Sequence, residues 1–211
     1  MKTKFFFFLT ILPVISVFSS CDSNDEDDET TVADFDGNEY NVVEIGDDFW
    51  LVENLITTHY NNGDPIPLGL LNGTTGSYVN YDTPQDDAVY GLIYNWYAVN
   101  DSRGICPQGW HIPSRAEWEL LAALLGGDND AGAFLKDTLY WDSPNTGANN
   151  ETGFTARPGA YGSIGQLAAF WSSTERDSDN AYYFKLYYNN TNAFIDYAEK
   201  GSGFNCRCIK D

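Results

Sequence analysis

Residues 106–125 read CPQGWHIPSRAEWELLAALL, and this stretch carries the clearest secondary-structure signal in the chain. Ser114 and Glu117 have the spacing of a capping box, in which the serine hydroxyl accepts a hydrogen bond from the Glu117 amide and the glutamate reaches back to the Ser114 amide. Gly126 and Gly127 supply a stop signal. The large apolar side chains between these signals share one helical stripe: Trp118, Leu121, Leu124 and Leu125. The pattern predicts an amphipathic helix whose stripe faces the core.

The chain after this helix indicates mainly β structure. Residues 131–136 are consistent with a second, shorter helix, and residues 145–165 are rich in loop formers. Four strands separated by Asp, Asn and Gly turns are predicted at 170–173, 181–188, 193–197 and 204–209. We therefore expect an α+β domain with one or two helices in its first half, an antiparallel sheet in its second half, and long loops.

The chain before this helix is less regular. Two strands are predicted at residues 40–45 and 49–52, each next to an Asp- or Gly-containing turn. Residues 61–88 consist largely of Asn, Gly, Asp, Pro and Thr and are predicted to be a long irregular excursion. Residues 90–99 are aromatic and apolar, and their periodicity does not distinguish a strand from a buried helix.

The first twenty residues have the features of an export signal. Two lysines precede an apolar run at residues 5–18, which is too short to span a bilayer comfortably. Two serines lie directly before Cys21, and this arrangement resembles a bacterial lipobox, with Phe18 where leucine is usual. We expect residues 1–20 to be a lipoprotein signal peptide and Cys21 to be acylated. A secretory signal cleaved elsewhere is the alternative.

Residues 22–29 are almost entirely acidic and polar. Such a block has too little apolar surface to offset the entropy of ordering it, so residues 21–33 are predicted to be a disordered tether and residues 34–211 the globular domain. The block also resembles the surface-export signal of Bacteroidetes lipoproteins. The expected location is the outer membrane, with the domain exposed at the cell surface and the lipid anchor as the only membrane contact.

The composition restricts the classes of partner. The chain has a formal net charge of -20, and it stays strongly negative without the acidic tether. A surface of this sign repels phosphates, so nucleic acid is excluded as a partner. Aromatic residues make up 16% of the chain, and tyrosine and tryptophan rings suit both sugar stacking and protein interfaces. Filling the core of a loop-rich domain is the alternative use of these rings.

Three cysteines follow Cys21 in a compartment that permits disulfides. If residues 204–209 form one strand, Cys206 and Cys208 point to the same face, and either could pair with Cys106. A Cys-x-Cys metal site is the competing interpretation, and it is weak because neither histidine of the chain has ligand spacing to the pair.

The sequence blocks, taken in order, resemble the Fibrobacter succinogenes major paralogous domain family over roughly residues 34–211. The matching blocks are DGN at 36–38, VEIG at 43–46, WLVENL at 50–55, GLIYNWYAV at 91–99, CPQGWHIPS at 106–114, ETGF at 151–154, FWSST at 170–174 and GFNCRCIKD at 203–211. That family is itself similar to C-type-lectin-like and formylglycine-generating-enzyme-like folds. The resemblance implies a Cys106–Cys208 disulfide with Cys206 left over. It also implies an exported protein for whose family no shared enzymatic activity is established, with carbohydrate binders and adhesins among the relatives of similar fold.

The residues do not present a catalytic constellation. His111 follows a tryptophan inside the Gly-Trp-His-Ile-Pro block and is interpreted as structural, while His59 has no evident partner. The three glycines at 159, 162 and 165 lack the strand before and the helix after that a nucleotide fingerprint requires. Carboxylates are plentiful in so acidic a chain and single out no pair. We therefore expect a protein that is not an enzyme.

The C-terminal turns and hairpin offer better candidates for binding. Strand alternation places Tyr183, Lys185 and Tyr187 on one face, and we expect this face to meet solvent. Exposed tyrosines beside Asn and Asp combine rigid aromatic area with adaptable hydrogen bonding. An ordinary hairpin with polar turns is the alternative. The candidate ligand-binding residues are Glu175, Asp177, Asp179, Asn180, Tyr183, Lys185, Tyr187, Asn189, Asn190, Asn192 and Asp196.

No cofactor is expected. Asp177, Asp179 and Asn180 could offer oxygens to Ca²⁺, but they lack the EF-hand pattern, and solvated turns are the commoner outcome. The functional hypothesis is a cell-surface binding or adhesion module for a glycan or a surface protein. The alternatives are an extracellular glycan-directed enzyme and a structural envelope protein that associates with itself.

Overall fold

The computed structural model describes residues 30–69 and 71–211, so the export signal, Cys21 and the acidic block 22–29 lie outside the described residues. In the described ranges the helices are α1 (Pro84–Tyr90), α2 (Trp96–Val99), α3 (Arg115–Leu124) and α4 (Ala131–Leu135). The strands are β1 (Thr31–Ala33), β2 (Glu39–Ile45), β3 (Asp48–Leu51), β4 (Tyr78–Val79), β5 (Ile93–Asn95), β6 (Trp110–His111), β7 (Leu167–Glu175), β8 (Asn180–Tyr187), β9 (Ala193–Glu199), β10 (Gly203–Phe204) and β11 (Ile209–Lys210). This is the α+β class that the sequence predicts.

The largest sheet joins the two ends of the domain. Its strand order is β1-β2-β3-β11-β6, and every pairing in it is antiparallel. Ile209 lies opposite Trp50 on one side and His111 on the other. The Cys106–Cys208 disulfide, implied by the family resemblance, is present and closes a separation of 102 residues beside these strands. Cys206 is the free, buried thiol.

Two smaller sheets complete the domain. One has the order β10-β5-β4 and the other β7-β8-β9, again with antiparallel neighbours. In β8 the side chains of Phe184 and Leu186 are buried, whereas Tyr183, Lys185 and Tyr187 are partly exposed on the opposite face. The alternation predicted for this strand is therefore confirmed.

Helix α3 centres one of two apolar clusters among the described residues. Trp118 and Leu121 of the predicted stripe are buried in it, whereas Leu124, at the end of the helix beside Gly46, is 57% exposed, so the prediction that the whole stripe faces the core is wrong there. Its capping box is formed, because the Ser114 amide donates to Glu117 Oε2 over 2.6 Å and the Glu117 amide donates to Ser114 Oγ over 3.3 Å. Trp118 is fully buried and stacks on Phe184 with ring centroids 4.6 Å apart and planes 5° from parallel. The Trp50 ring also packs on the Trp118 ring, with their centroids 5.1 Å apart. Burying one such aromatic side chain contributes on the order of 2–3 kcal/mol.

A buried arginine fastens the closing segment to the rest of the core. Arg207 donates to the carbonyl oxygens of Leu51 and Phe154, both over 2.7 Å, and to Asn54 Oδ1 over 2.8 Å. Its guanidinium lies over the Phe154 ring at 4.3 Å. Because Arg207 points into the core and Cys208 is held by the disulfide, the predicted single strand at 204–209 is wrong: β10 and β11 are separate strands.

The first half of the domain is more regular than the sequence predicts. The excursion at 61–88 contains β4 and most of α1, whose first turn is capped by Thr83 and begins with Pro84. Residues 90–99 divide into a strand and a short helix that meet at Asn95. With α1 and α2, the described residues contain four helices instead of the one or two expected. Strand β1 pairs with β2, so the last three residues of the predicted tether belong to the folded domain.

None of the helices in the described ranges combines the length and the apolar character needed to cross a bilayer.

Candidate ligand-binding groove

A polar groove opens at the end of the β7–β8–β9 sheet where the β7–β8 turn lies. It has a volume of about 500 Å³ and is lined by residues 72–74, Tyr97, residues 179–180 and residues 199–202. We call it the Tyr97 groove. A second depression of about 480 Å³ adjoins it, shares Thr74 and Tyr97, and extends to Arg103. Both volumes lie in the range of small-ligand sites.

One wall of the groove is fixed by a buried amide. Asn95 is fully buried between β5 and α2, and its Nδ2 donates to the carbonyl oxygens of Leu71 over 3.1 Å and Thr75 over 2.9 Å. Its Oδ1 accepts from the Ala98 amide over 3.1 Å and so caps α2. A single side chain therefore holds the 71–77 loop against the helix that carries Tyr97.

The facing wall is fixed by a buried lysine. Lys200 is 6% exposed, and its Nζ donates to Glu175 Oε1 over 2.8 Å and to the Ser178 carbonyl over 2.9 Å. Its backbone amide donates to the Asp179 carbonyl, and its carbonyl accepts from the Trp96 amide, both over 2.9 Å. Lys200 thereby joins the β7–β8 turn, the 199–202 turn and the start of α2.

Two glycines allow these segments to approach closely. A Cβ on Gly201 would lie 3.1 Å from the Asn72 Cα, and a Cβ on Gly76 would lie 2.9 Å from the Ala98 Cα. Both neighbours are backbone atoms, which cannot move aside as the end of a flexible side chain can. The glycines thus keep the 71–77 loop in contact with both walls.

Several side chains that line the groove are not engaged by the protein itself. Within residues 30–69 and 71–211, no hydrogen bond uses the side-chain polar atoms of Asn72, Tyr97, Asp179 or Glu199. Tyr97 is partly exposed, and Asp179 is exposed. The fixed backbone frame loses little conformational entropy when a ligand binds, and the unengaged polar groups can bond to the ligand without breaking bonds within the protein.

Some of the predicted site residues in and beside the β7–β8 turn line the groove, and others hold the turn in its conformation. Asp179 and Asn180 line the groove. Asp177 instead stabilises the turn, because its Oδ1 accepts from the amides of Asp179 over 3.0 Å and Asn180 over 2.9 Å. These hydrogen bonds, led by that from Asp179, hold the pKa of Asp177 below its usual value. Glu175 is the carboxylate partner of Lys200.

Three of the predicted residues on the face of β8 and β9, Lys185, Tyr187 and Asp196, line a separate cleft of about 370 Å³, the Lys185 cleft. Lys185 Nζ lies 2.6 Å from Asp196 Oδ2, and it is 5.6 Å from the ring centroid of both Tyr183 and Tyr187. Tyr183 also stacks on Phe204 at 4.3 Å. In this cleft the Lys185 ammonium group is therefore paired with the Asp196 carboxylate and lies beside the rings of Tyr183 and Tyr187, so these groups mainly contact one another.

The predicted residues of the β8–β9 turn are used to hold that turn in place. Asn190 Oδ1 accepts from the Asn192 amide over 2.9 Å, and Asn192 Nδ2 donates to Asn129 Oδ1 over 3.0 Å. Asn189 Oδ1 accepts from Asn190 Nδ2 over 3.2 Å. Lys136 donates to the Asn190 carbonyl from beneath. The structure therefore brings Asp179 and Asn180, but not the three asparagines, to the Tyr97 groove.

Sequence reasoning missed most of the groove lining. Residues 72–74 fall in the excursion that was predicted to be irregular, and Tyr97 falls in the block whose periodicity is ambiguous. Glu199 and Lys200 lie at the end of β9, directly before the Gly-Ser-Gly turn at 201–203. The polar composition of this turn could have indicated its place in the groove. In an antiparallel sheet the turn between β7 and β8 and the turn that follows β9 lie at the same end, so residues 176–179 and 201–203 are expected to be close together.

Both histidines are hydrogen-bonded to carboxylates. His59 Nδ1 lies 2.6 Å from Asp36 Oδ1. His111 lies between Asp211, at 2.7 Å from Nδ1, and Glu117, at 2.9 Å from Nε2. Burial acts to lower the pKa of His111, but the two carboxylate hydrogen bonds outweigh it and raise that pKa above its usual value. In the described part of the chain, no group of three or more His, Cys, Asp or Glu residues is placed to hold a metal ion.

Comparison with known proteins identifies the domain. No curated protein and no solved structure matches the chain. The profile of the Fibrobacter succinogenes major domain matches residues 43–210, a span from β2 to β11 that includes every residue lining the groove. The chain therefore belongs to the Fibrobacter succinogenes major domain family.

Proposed function

We propose that this protein is an exported, surface-anchored binding or adhesion module that is not an enzyme, and that its ligand occupies the Tyr97 groove. The observation that carries the proposal is the combination of a frame fixed by Asn95 and Lys200 with unengaged polar side chains around a partly exposed tyrosine ring. A fixed backbone frame that carries free polar groups beside an aromatic face is typical of a recognition site.

The ligand that fits this lining best is a glycan. A sugar ring presents an apolar face that packs on an aromatic ring and an edge of hydroxyl groups that exchange hydrogen bonds with amides and carboxylates. The Tyr97 groove offers one ring, the Asn72 amide, the Asn180 amide oxygen, and the Asp179 and Glu199 carboxylates. A glycan on a surface protein would present the same groups, which accounts for both ligand classes named in the hypothesis.

We also propose a C-type-lectin-like fold for the domain. The sequence motifs that suggest it are central to the packing: Trp118 of the capped helix centres one core cluster, and Arg207 of the closing segment is buried against Phe154. An experimental structure, superposed on lectin-like domains, tests this proposal. A strand connectivity that cannot be superposed would refute it.

Acylation of Cys21 and display on the outer membrane remain part of the proposal. The lipobox-like sequence before Cys21 and the acidic segment after it support export, and the Cys106–Cys208 disulfide fits an oxidising compartment. A palmitate analogue should label the wild-type protein in cells, whereas Cys21→Ser should remain unlabelled. Equal labelling of both would refute the anchor. Protease sensitivity of the domain on intact cells tests its exposure at the surface.

A glycan array probed with purified protein tests the binding function. We expect a set of related glycans to bind, and Tyr97→Ala to lose roughly five-fold or more in affinity for them, by analogy with aromatic rings that stack on nucleic-acid bases and contribute about 1–3 kcal/mol. Tyr161→Ala is the matched control, because Tyr161 is exposed and lies outside the groove. No binding, or equal losses in both variants, would count against the groove.

A further inference from the structure

The carboxylates of the Tyr97 groove are not neutralised by the cation beside them. Asp179 and Glu199 both line the groove, and neither forms an ion pair with the described residues. Lys200 is the lysine of the lining, but its ammonium group is buried and bound to Glu175 Oε1 at 2.8 Å and to the Ser178 carbonyl at 2.9 Å. Its positive charge is therefore already paired with a carboxylate of the protein.

The arrangement of the strands brings the two carboxylates to the same end of the sheet. Asn180 lies opposite Glu199 at the last position of the β8–β9 ladder, and the next backbone hydrogen bond runs from the Lys200 amide to the Asp179 carbonyl. The adjoining depression adds little positive charge, because Arg103 there is paired with Asp101 at 2.7 Å and with Asp64 at 3.0 Å. A ligand in the groove thus meets two uncompensated negative charges.

We infer that the Tyr97 groove selects saccharides by charge: it binds saccharides with a free amino group most tightly, neutral saccharides next, and rejects saccharides that carry carboxylate or sulfate groups. This inference rests on the proposed function and specifies its ligand class. An ammonium group placed among Asp179, Glu199 and the Tyr97 ring gains both Coulomb attraction and a cation–π contact. A uronate or sulfate ester in the same position would face like charges and would lose its hydration.

The test compares tetrasaccharides that share a β-1,4-linked glucose backbone and differ in charge. These probes are the glucosamine tetramer, cellotetraose and the glucuronic acid tetramer, with affinities measured calorimetrically at low salt and about pH 6, where the amino groups are largely protonated and the carboxylates remain ionised. We expect the glucosamine tetramer to bind roughly ten-fold more tightly than cellotetraose, and the acidic tetramer to show no binding. The preference should shrink at high salt, where charges are screened.

Paired variants separate a local effect from the net charge of the protein. Asp179→Asn with Glu199→Gln removes both groove carboxylates and should abolish the amino-sugar preference. Asp130→Asn with Glu151→Gln changes the net charge equally, but these residues line a different surface next to α3 and α4, so the preference should remain. An equal loss in both double variants would overturn the inference, because it would attribute the preference to overall charge.

The outcomes also separate this inference from the proposed function. Equal binding of all three tetrasaccharides, with loss in Tyr97→Ala, would overturn the charge selection and leave the binding function standing. Failure of all three probes to bind would overturn the inference, while the glycan array decides separately whether the groove binds other sugars. Tightest binding of the acidic tetramer would overturn it directly.

Discussion

The two ends of the β7–β8–β9 sheet both carry polar turns, but the turns differ in structure. Each end carries a turn rich in Asp or Asn, and each turn is held by a buried lysine. At the groove end, Lys200 binds Glu175 and the Ser178 carbonyl. At the other end, Lys136 donates to the carbonyl oxygens of Thr146, Tyr187 and Asn190 over 2.9, 3.2 and 2.9 Å.

The two ends differ in how many side-chain hydrogen-bonding atoms remain free to bind a ligand. In the β8–β9 turn, the asparagine side chains bond to one another and to Asn129, and the backbone carbonyl of Asn190 accepts from Lys136. In the Tyr97 groove, the frame is held by buried groups behind the surface, and the carboxylates at the surface remain unengaged. The β7–β8 turn also uses one of its own side chains, Asp177, so the two ends differ in whether other surface side chains, here Asp179 and Glu199, keep free polar atoms.

Replacing Lys136 should produce the largest effect on the β8–β9 end. Lys136 is fully buried, and Lys136→Met removes the donor to three carbonyl oxygens while retaining much of the apolar stem. Because buried acceptors left without a donor each cost about 1–3 kcal/mol, we expect the free energy of unfolding to fall by about 3 kcal/mol. Urea denaturation measures this. A loss below about 1 kcal/mol would mean that water reaches these carbonyls.

Gly132→Ala should also destabilise this end, by a steric route. A Cβ at Gly132 would lie 2.7 Å from the carbonyl oxygens of both Thr191 and Asn192, which belong to the turn backbone. We expect a loss of about 2 kcal/mol in the free energy of unfolding, typical of overpacking. Gly73→Ala in the groove loop is the matched control, since its Cβ would meet only the Thr75 nitrogen, at 3.9 Å. Similar losses in the two variants would remove the distinction between the ends.

Lys200→Met should affect recognition more than stability. Its carboxylate partner Glu175 is half-exposed, so the ion pair is partly screened and the expected loss is about 1–2 kcal/mol. The main change should be faster amide hydrogen exchange at residues 176–180 and 199–202, together with weaker binding of the glycans found on the array. Unchanged exchange in these segments would show that Lys200 does not fix the groove wall.

The sequence was sufficient for features that depend on neighbouring residues. The capping box at Ser114, the burial of Trp118 and the alternation along β8 follow from local spacing, and all are confirmed. The Cys106–Cys208 pairing followed from the family resemblance, because strand geometry alone left Cys206 equally eligible.

The sequence was insufficient for features that depend on distant segments. Asn95 organises the groove only because the carbonyls of Leu71 and Thr75, more than one element away, are brought to its amide. Lys200 is a polar residue before a turn in sequence, yet it is buried because the β7–β8 turn covers it. Composition predicted Asp179, Asn180 and Asn190 alike as ligand-binding candidates, and it could not indicate that Asp179 and Asn180 line the Tyr97 groove whereas Asn190 lies at the other end of the sheet.

The charge state of Lys136 offers the smallest and most specific test of the comparison. Burial lowers the pKa of Lys136 to about 8, whereas an unfolded chain has the ordinary lysine value of 10.5. Between these values the unfolded state binds a proton that the folded state lacks, so the free energy of unfolding rises with pH. Relative to Lys136→Met, the wild type should therefore gain about 1 kcal/mol between pH 8 and pH 9. Urea denaturation at pH 7, 8, 9 and 10 measures the difference. If the difference in the free energy of unfolding between wild type and Lys136→Met stays constant with pH, the Lys136 ammonium group remains charged in the folded state. The hydrogen bonds to the three backbone carbonyl oxygens would then be sufficient to offset the cost of burying that charge.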